Sequence, residues 1–285
     1  MRRVIALLLG LVAALALTPV TASAIVGTTF TPVTNPGAVS IWTADPHRHR
    51  CGGTLVAPRW VLTATHCAFV IKTDGSTSIR IGSVDNTVGY FEGGVAALYP
   101  HPNFDNNLLQ NDIMLVKLVH AVPASVQTPM TWARPTTPVA ALGRIDGWGW
   151  PCQTAGQPGC GTTIAGPIRE FTTALKPDAS CVSEWFPATE LCFAAADGSH
   201  TMACFGDSGT PLWSKGFETP ILRGIVLYDG DDWGSVSCPD APDGTQGLGV
   251  ATDVAQYFDW GQSVMSGAVP AASSVPTAAN HALVG

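Results

Sequence analysis

Apolar and polar positions along the chain change places over short distances, with Gly, Pro, Asn and Asp as punctuation. Thr54-Leu55-Val56, Trp60-Val61-Leu62, Ile79-Arg80-Ile81 and Ile113-Met114-Leu115-Val116 are β-favouring runs bounded in this way and predict strands. The second half repeats the style at Ala140-Ala141-Leu142, Arg169-Glu170-Phe171, Ile221 to Leu227 and Gly249-Val250-Ala251. One amphipathic helix is predicted over Val254 to Met265. There Val254, Phe258, Gln262 and Met265 follow helical spacing, with Trp260 and Val264 flanking. Residues 267–285 are Gly, Ala, Ser, Pro and Val-rich without a formal charge, which predicts a flexible C-terminal extension. The pattern as a whole reads as all-β, and two sheets of similar strand count fit a duplicated barrel.

The first residues are an address rather than a fold. Met1-Arg2-Arg3 is positive, Val4 to Leu17 is an apolar run, and Ala22-Ser23-Ala24 has the small-x-small form a signal peptidase cuts. The run is about fourteen residues, short of the ~20 that cross a bilayer. Residues 1–24 are therefore expected to be a signal peptide and the product to be secreted and extracellular. Composition agrees with a packed, turn-rich globule: 46% hydrophobic, 12% charged, 30 Gly and 22 Pro. A net charge of -7 without a basic stripe sets nucleic acid aside as a partner. In an exported chain the eight cysteines read as disulfides, and spacing alone leaves all 105 connectivities open.

Candidate chemistry sits in three segments. Thr63-Ala64-Thr65-His66-Cys67 puts His66 at a strand end beside a tethering cysteine. Asn111-Asp112-Ile113 places a carboxylate directly before a buried strand. Gly206-Asp207-Ser208-Gly209 sets a serine between glycines, where the backbone turns sharply and its N–H groups can face a ligand. Nucleophilic serine catalysis needs a hydroxyl, an imidazole to take its proton and a carboxylate to hold the imidazole's tautomer. It also needs backbone donors for an oxyanion. Each segment alone is commonplace, but the order His, Asp, Ser is one of the known triad orders.

Taken together, these segments resemble the chymotrypsin- and trypsin-like serine proteases. The likeness runs through Ile25-Val26-Gly27, Cys51-Gly52-Gly53-Thr54-Leu55, the His66 and Asp112 segments and Gly147-Trp148-Gly149. It continues through Gly206 to Leu212, Gly224-Ile225-Val226 and the final helix at Trp260. The resemblance implies two perpendicular six-stranded antiparallel barrels over residues 25–266, with their boundary near 120–140 and the site in the cleft between them. It implies Ser208 as nucleophile, His66 as base then acid and Asp112 as orienter, with Gly206 and Ser208 N–H groups as the oxyanion hole. It also implies the pairs Cys51–Cys67, Cys181–Cys192 and Cys204–Cys238, which leaves Cys152–Cys160. Thr210 stands where the family has Gly, and a β-branched residue excludes positive φ in practice.

Substrate selection follows from the same resemblance. The position six before the serine, the floor of the primary pocket, is Met202, followed by Ala203 and Phe205. A thioether offers no counter-charge, so cleavage is expected after medium or large apolar residues. Leu227-Tyr228-Asp229-Gly230 replaces the usual wall, with either Asp229 or Gly230 at the mouth, and Gly249 keeps the opposite wall open. Cleavage after Ala24 would leave Ile25 as the N-terminus with no propeptide, its ammonium expected on Asp207. Asp85 and Glu92 sit in a loop where some relatives bind calcium, but Ser83 replaces a carboxylate and no metal or cofactor is expected. His47-Arg48-His49-Arg50 is expected to form an exposed turn, with Arg50 near the leaving-group side. Expected partners are protein or peptide substrates and a proteinaceous inhibitor, with no membrane after processing and a monomeric state. The competing reading is a non-catalytic binding protein on the same scaffold, which would usually have lost one of the three residues.

Overall fold

The computed structural model describes residue 25 and residues 34–134, 141–150, 165–181, 188–199, 201–214, 220–229 and 247–274, with backbone only at 228 and 229. The first sheet is built from β1 (Ala38–Ala44), β2 (His47–Ala57), β3 (Trp60–Thr63), β4 (Ser78–Ile81), β5 (Phe91–Gly93), β6 (Val95–Pro100) and β7 (Met114–Leu118). Its order is β5-β4-β1-β2-β3-β7-β6. Strands β5 and β6 are separated only by Gly94, so one bent segment pairs with β4 at its start and with β7 at its end. That bend closes the sheet into a six-membered barrel.

The second sheet contains β8 (Thr131–Trp132), β9 (Leu142–Gly147), β10 (Arg169–Leu175), β11 (Glu190–Ala195), β12 (Pro211–Ser214), β13 (Ile221–Asp229) and β14 (Gly249–Asp253). The order β12-β9-β10-β11-β14-β13 is closed by pairing of β12 with β13, which again makes six, and β8 adds in parallel outside β13. Each barrel buries its own alternate side chains. Val39, Ile41, Leu55, Val61, Ile79 and Val116 fill the first, and Ile145, Phe171, Leu191, Phe193, Leu212 and Ala251 fill the second. A third cluster, including Leu62, Ile113, Trp132, Trp213, Leu222 and Val254, joins the two halves beneath the C-terminal segment.

The helix predicted from Val254 begins as a single 3-10 turn over Val254–Tyr257 and becomes α1 (Phe258–Met265). Asp253 starts it by accepting the Ala255 N–H at 3.1 Å, the usual work of an N-cap carboxylate. Gly261 faces Trp132, whose ring would lie 2.4 Å from any Cβ there, so the glycine sets how closely α1 can dock. The Trp132 indole N–H donates to Val254 O at 2.7 Å and fastens the same junction. Strand runs fell where expected among the described residues, except that Ile113 precedes β7 and Ala141 precedes β9, while Ala140 lies outside the described residues. Residues 1–24, the Cys152–Cys160 loop and residues 275–285 of the expected tail lie outside the described residues.

Candidate active site

Strand β3 ends at Thr63, and the chain makes one 3-10 turn over Thr65–Phe69 that carries His66. Cys67 in this turn is bonded to Cys51 on β2, which fixes the turn to the barrel wall. His66 Nδ1 lies 2.5 Å from Asp112 Oδ2, and the His66 backbone N–H donates to Asp112 Oδ1 at 2.9 Å. The Asp112 carboxylate has no exposed surface. A carboxylate can only accept, so Nδ1 carries a proton, and in the neutral imidazole Nε2 is then the nitrogen with the free lone pair. Among the described residues, Nε2 is buried and without a hydrogen-bond partner. No hydrogen bond joins it to Ser208, whose Oγ points to Leu227 O at 3.5 Å.

Ser208 sits in a loop with Gly206 at φ 92° and Gly209 at φ 82°, both in the left-handed region that favours glycine. Any Cβ on Gly209 would lie 2.3 Å from Thr63 Oγ1 and 2.6 Å from Gly52 O. The loop is stitched by Asp207 N–H to Cys204 O (2.8 Å), Thr210 N–H to Asp207 O (2.9 Å) and Gly209 N–H to Val226 O (2.7 Å). Gly52 N–H of the first barrel donates to Ser208 O at 2.8 Å. Among the described residues, the Gly206 and Ser208 N–H groups donate to no backbone acceptor. Thr210 does not take positive φ. Its methyl instead fits the space of the side chain that Gly52 lacks, 2.1 Å from where a Cβ would be.

Asp207 is buried, and burial pushes its carboxyl up to about 7 against the opposing pull of the Cys204 and Gly149 N–H groups. Those donors stand at 2.9 and 2.7 Å. Gly147 and Gly149 make room for it, since a Cβ at either would fall within about 2 Å of a carboxylate oxygen. Ile25 is fully buried in the cluster with Ile145, Met202 and Leu212. On the other side of the loop, His49 Nε2 lies 2.8 Å from Gly206 O and Nδ1 lies 2.7 Å from Ser40 Oγ. Trp42 Nε1 and Asn86 Nδ2 both donate to Ser40 Oγ, at 2.7 and 3.2 Å. With both lone pairs taken, the Ser40 proton goes to Nδ1, and the His49 proton sits on Nε2 facing Gly206.

The candidate pocket is lined by apolar groups. Met202 is buried, and a Cβ on Gly249 would lie 2.4 Å from the Phe193 ring and 3.0 Å from Met202 Sδ. Leu227 is buried at a register shift between Val226 and Tyr228, a bulge of the kind that re-aims residues beside active sites. Backbone pairing continues as Tyr228 opposite Val250 and Asp229 opposite Gly249. Ala203 and Phe205 are half-buried, and the Phe205 ring meets Trp150 edge-on at 5.0 Å between centroids. Cys181 is bonded to Cys192, and Cys204 is disulfide-bonded, with its expected partner Cys238 outside the described residues. Cys51, His66 and Cys67 come together as ligand-type side chains, but two of them form the disulfide, which explains the cluster without an ion. Asp85 turns its carboxylate onto Thr87 N–H and Oγ1 within its own loop.

A trypsin family model matches residues 25–261. The chain belongs to the trypsin family. It is accordingly a serine-type endopeptidase, with protein or peptide substrates. Kallikrein-15 from Homo sapiens is 29% identical over 255 residues, covering 82% of this chain and 88% of its own. Trypsin from Sus scrofa is 28% identical over 230 residues, covering 76% and 86%. A solved structure of neuropsin, a serine protease expressed in the limbic system of mouse brain, superposes with a TM-score of 0.62. That match has 26% identity and covers 81% of this chain and 94% of that one.

Within this trypsin-family fold, His66 and Asp112 are in contact, and Ser208 lies on a loop held by both barrels. The expectation of an exposed turn at His47-Arg48-His49-Arg50 is corrected. The segment opens strand β2, and His49 is 1% exposed. Alternation along β2 turns His49 inward, and its burial is compensated by the Ser40 hydroxyl, which donates to Nδ1, and the Gly206 carbonyl, which accepts from Nε2. His49 was missed as a site residue because its partner Gly206 is 157 positions away.

Proposed function

We propose that Ser208, His66 and Asp112 form the catalytic triad of this endopeptidase. The observation that carries the reading is the short bond from His66 Nδ1 to the buried Asp112 carboxylate, which leaves Nε2 as the unengaged nitrogen, a base in the neutral imidazole. Substrate entry would turn Ser208 Oγ from Leu227 O toward Nε2. Oγ then attacks the scissile carbonyl carbon while Nε2 takes its proton, and the carbonyl oxygen becomes an oxyanion on the Gly206 and Ser208 N–H groups. The imidazolium returns the proton to the leaving amine nitrogen as the C–N bond breaks, giving an acyl-enzyme. Water repeats the sequence, and its carbon–oxygen bond replaces the ester to Ser208. Retention of all three residues disfavours the binding-protein alternative.

The finer reading is a secreted enzyme that cleaves after medium or large apolar residues seated against Met202 and Leu227. Removal of residues 1–24 would leave Ile25 with a free ammonium for Asp207. In the uncleaved chain the Ile25 nitrogen is an uncharged amide and Asp207 stands near 7. A cation beside it would pull the carboxyl down and hold the amine up. Activity that depends on the pair is then present at neutral pH and lost as pH rises through the raised amine value. The test of the triad is amidase turnover by Ser208→Ala and Asp112→Asn. Both should fall by about three orders of magnitude or more with binding retained. Full turnover in either would refute the assignment.

A further inference from the structure

Asp112 stands on an unusual piece of backbone. Leu109 and Asn111 both take left-handed conformations, φ 53° and 56°, without being glycine. Asn tolerates this region, but Leu does not, because its Cβ crowds the following carbonyl, so the surroundings must hold Leu109 there. Asn111 O accepts the Ile113 N–H at 2.9 Å, which closes a three-residue turn with Asp112 at its centre. The orientation of the Asp112 carboxylate is therefore set by how that turn is anchored.

The Asn111 side chain supplies one anchor and is pinned at both ends. Its Nδ2 donates to Asn103 O at 2.9 Å, and its Oδ1 accepts the Tyr257 hydroxyl at 3.0 Å. Tyr257 ends the 3-10 turn before α1, is 4% exposed, and packs edge-on to His101 at 5.1 Å. Burial raises its phenol, so the hydroxyl keeps its proton and remains a donor. A second anchor is Thr252 Oγ1, which donates to Asp112 O at 3.1 Å. Thr65 Oγ1 holds the next carbonyl, Ile113 O, at 2.7 Å.

These contacts have a common geography. His66, Thr65 and Asp112 belong to the first barrel, whereas Thr252 and Tyr257 follow from the last strand of the second, which also provides Ser208. We infer that Tyr257, acting through the Asn111 side-chain amide, is a positioning residue that sets the Asp112 carboxylate against His66. The inference rests on the triad reading above. Tyr257 touches neither substrate nor the reacting atoms; its effect passes through the turn at Asn111.

Tyr257→Phe tests this with the smallest change, because it deletes the hydroxyl and keeps the ring against His101. One hydrogen bond's worth of misplacement should lower kcat roughly five- to tenfold with KM within about twofold. Asn111→Ala should do the same, and the double variant should lose little more than either single one. Unchanged kcat in Tyr257→Phe, or multiplicative losses in the double variant, would overturn the inference. Asp112→Asn in the same assays separates the two claims. Survival of its activity sinks the triad reading itself, whereas its collapse beside an unaffected Tyr257→Phe sinks the positioning role alone.

Discussion

Acid should loosen this enzyme through His49. Burial, reinforced by the Arg80 charge and opposed by the bond to Gly206 O, lowers its imidazole from 6.5 to about 4. The hydrogen bonds agree, since a protonated Nδ1 would aim a donor at a Ser40 oxygen whose lone pairs are already engaged by Trp42 and Asn86. Above pH 6.5 the imidazole is neutral folded or unfolded, and its contribution is intact. As pH falls from 6.5 toward 4, the unfolded chain takes up a proton that the folded chain refuses, and stability is lost. At about 1.4 kcal/mol per pH unit the loss approaches roughly 3 kcal/mol at pH 4. Urea unfolding of Ser208→Ala protein, chosen to prevent self-digestion, should show it between pH 7 and pH 4. His49→Gln in that background cannot titrate and should lack this component of the slope, although it is less stable at pH 7. Equal losses in the two proteins, or a His49 resonance titrating near 6.5, would refute the reasoning.

Other expectations follow from close contacts. Gly209→Ala would force a methyl against Thr63 Oγ1 and Gly52 O in a left-handed backbone, and should cost at least about 2 kcal/mol in unfolding measurements together with most of the turnover. Gly249→Val would drive side-chain atoms into the Phe193 ring and Met202; paired kinetics should show a larger loss on Phe than on Ala substrates. For the wild type, Phe, Leu or Met substrates should outrun Lys or Arg ones, and a tenfold preference for Lys or Arg, about 1.4 kcal/mol in the transition state, would shift the pocket assignment to Asp229.

Much of this could be read along the chain because it is written locally. Strands β3, β4, β7, β13 and β14 coincide with short β-branched runs, and the candidate triad lies in three segments whose neighbours already suit the chemistry. Strand β11 escaped notice because Glu190-Leu191-Cys192-Phe193-Ala194-Ala195 is buried throughout and neither alternates nor favours β-branched residues. Strand β12 opens on Pro211, which reads as a break. The supports of the site were illegible for a different reason. His49 meets Gly206 across 157 positions, and Tyr257 meets Asn111 across 146, so no window of sequence contains both partners. Only closure of the two barrels brings them together.

The central claim is that Ser208 is the nucleophile activated by His66. The most direct measurement is the reaction of the purified, active protein with a fluorophosphonate, followed by peptide mass spectrometry. The account predicts one adduct per chain, located on Ser208, formed rapidly by the wild type and only slowly by His66→Ala. An adduct on another residue, or an enzyme that retains amidase activity after Ser208 is fully modified, would contradict it.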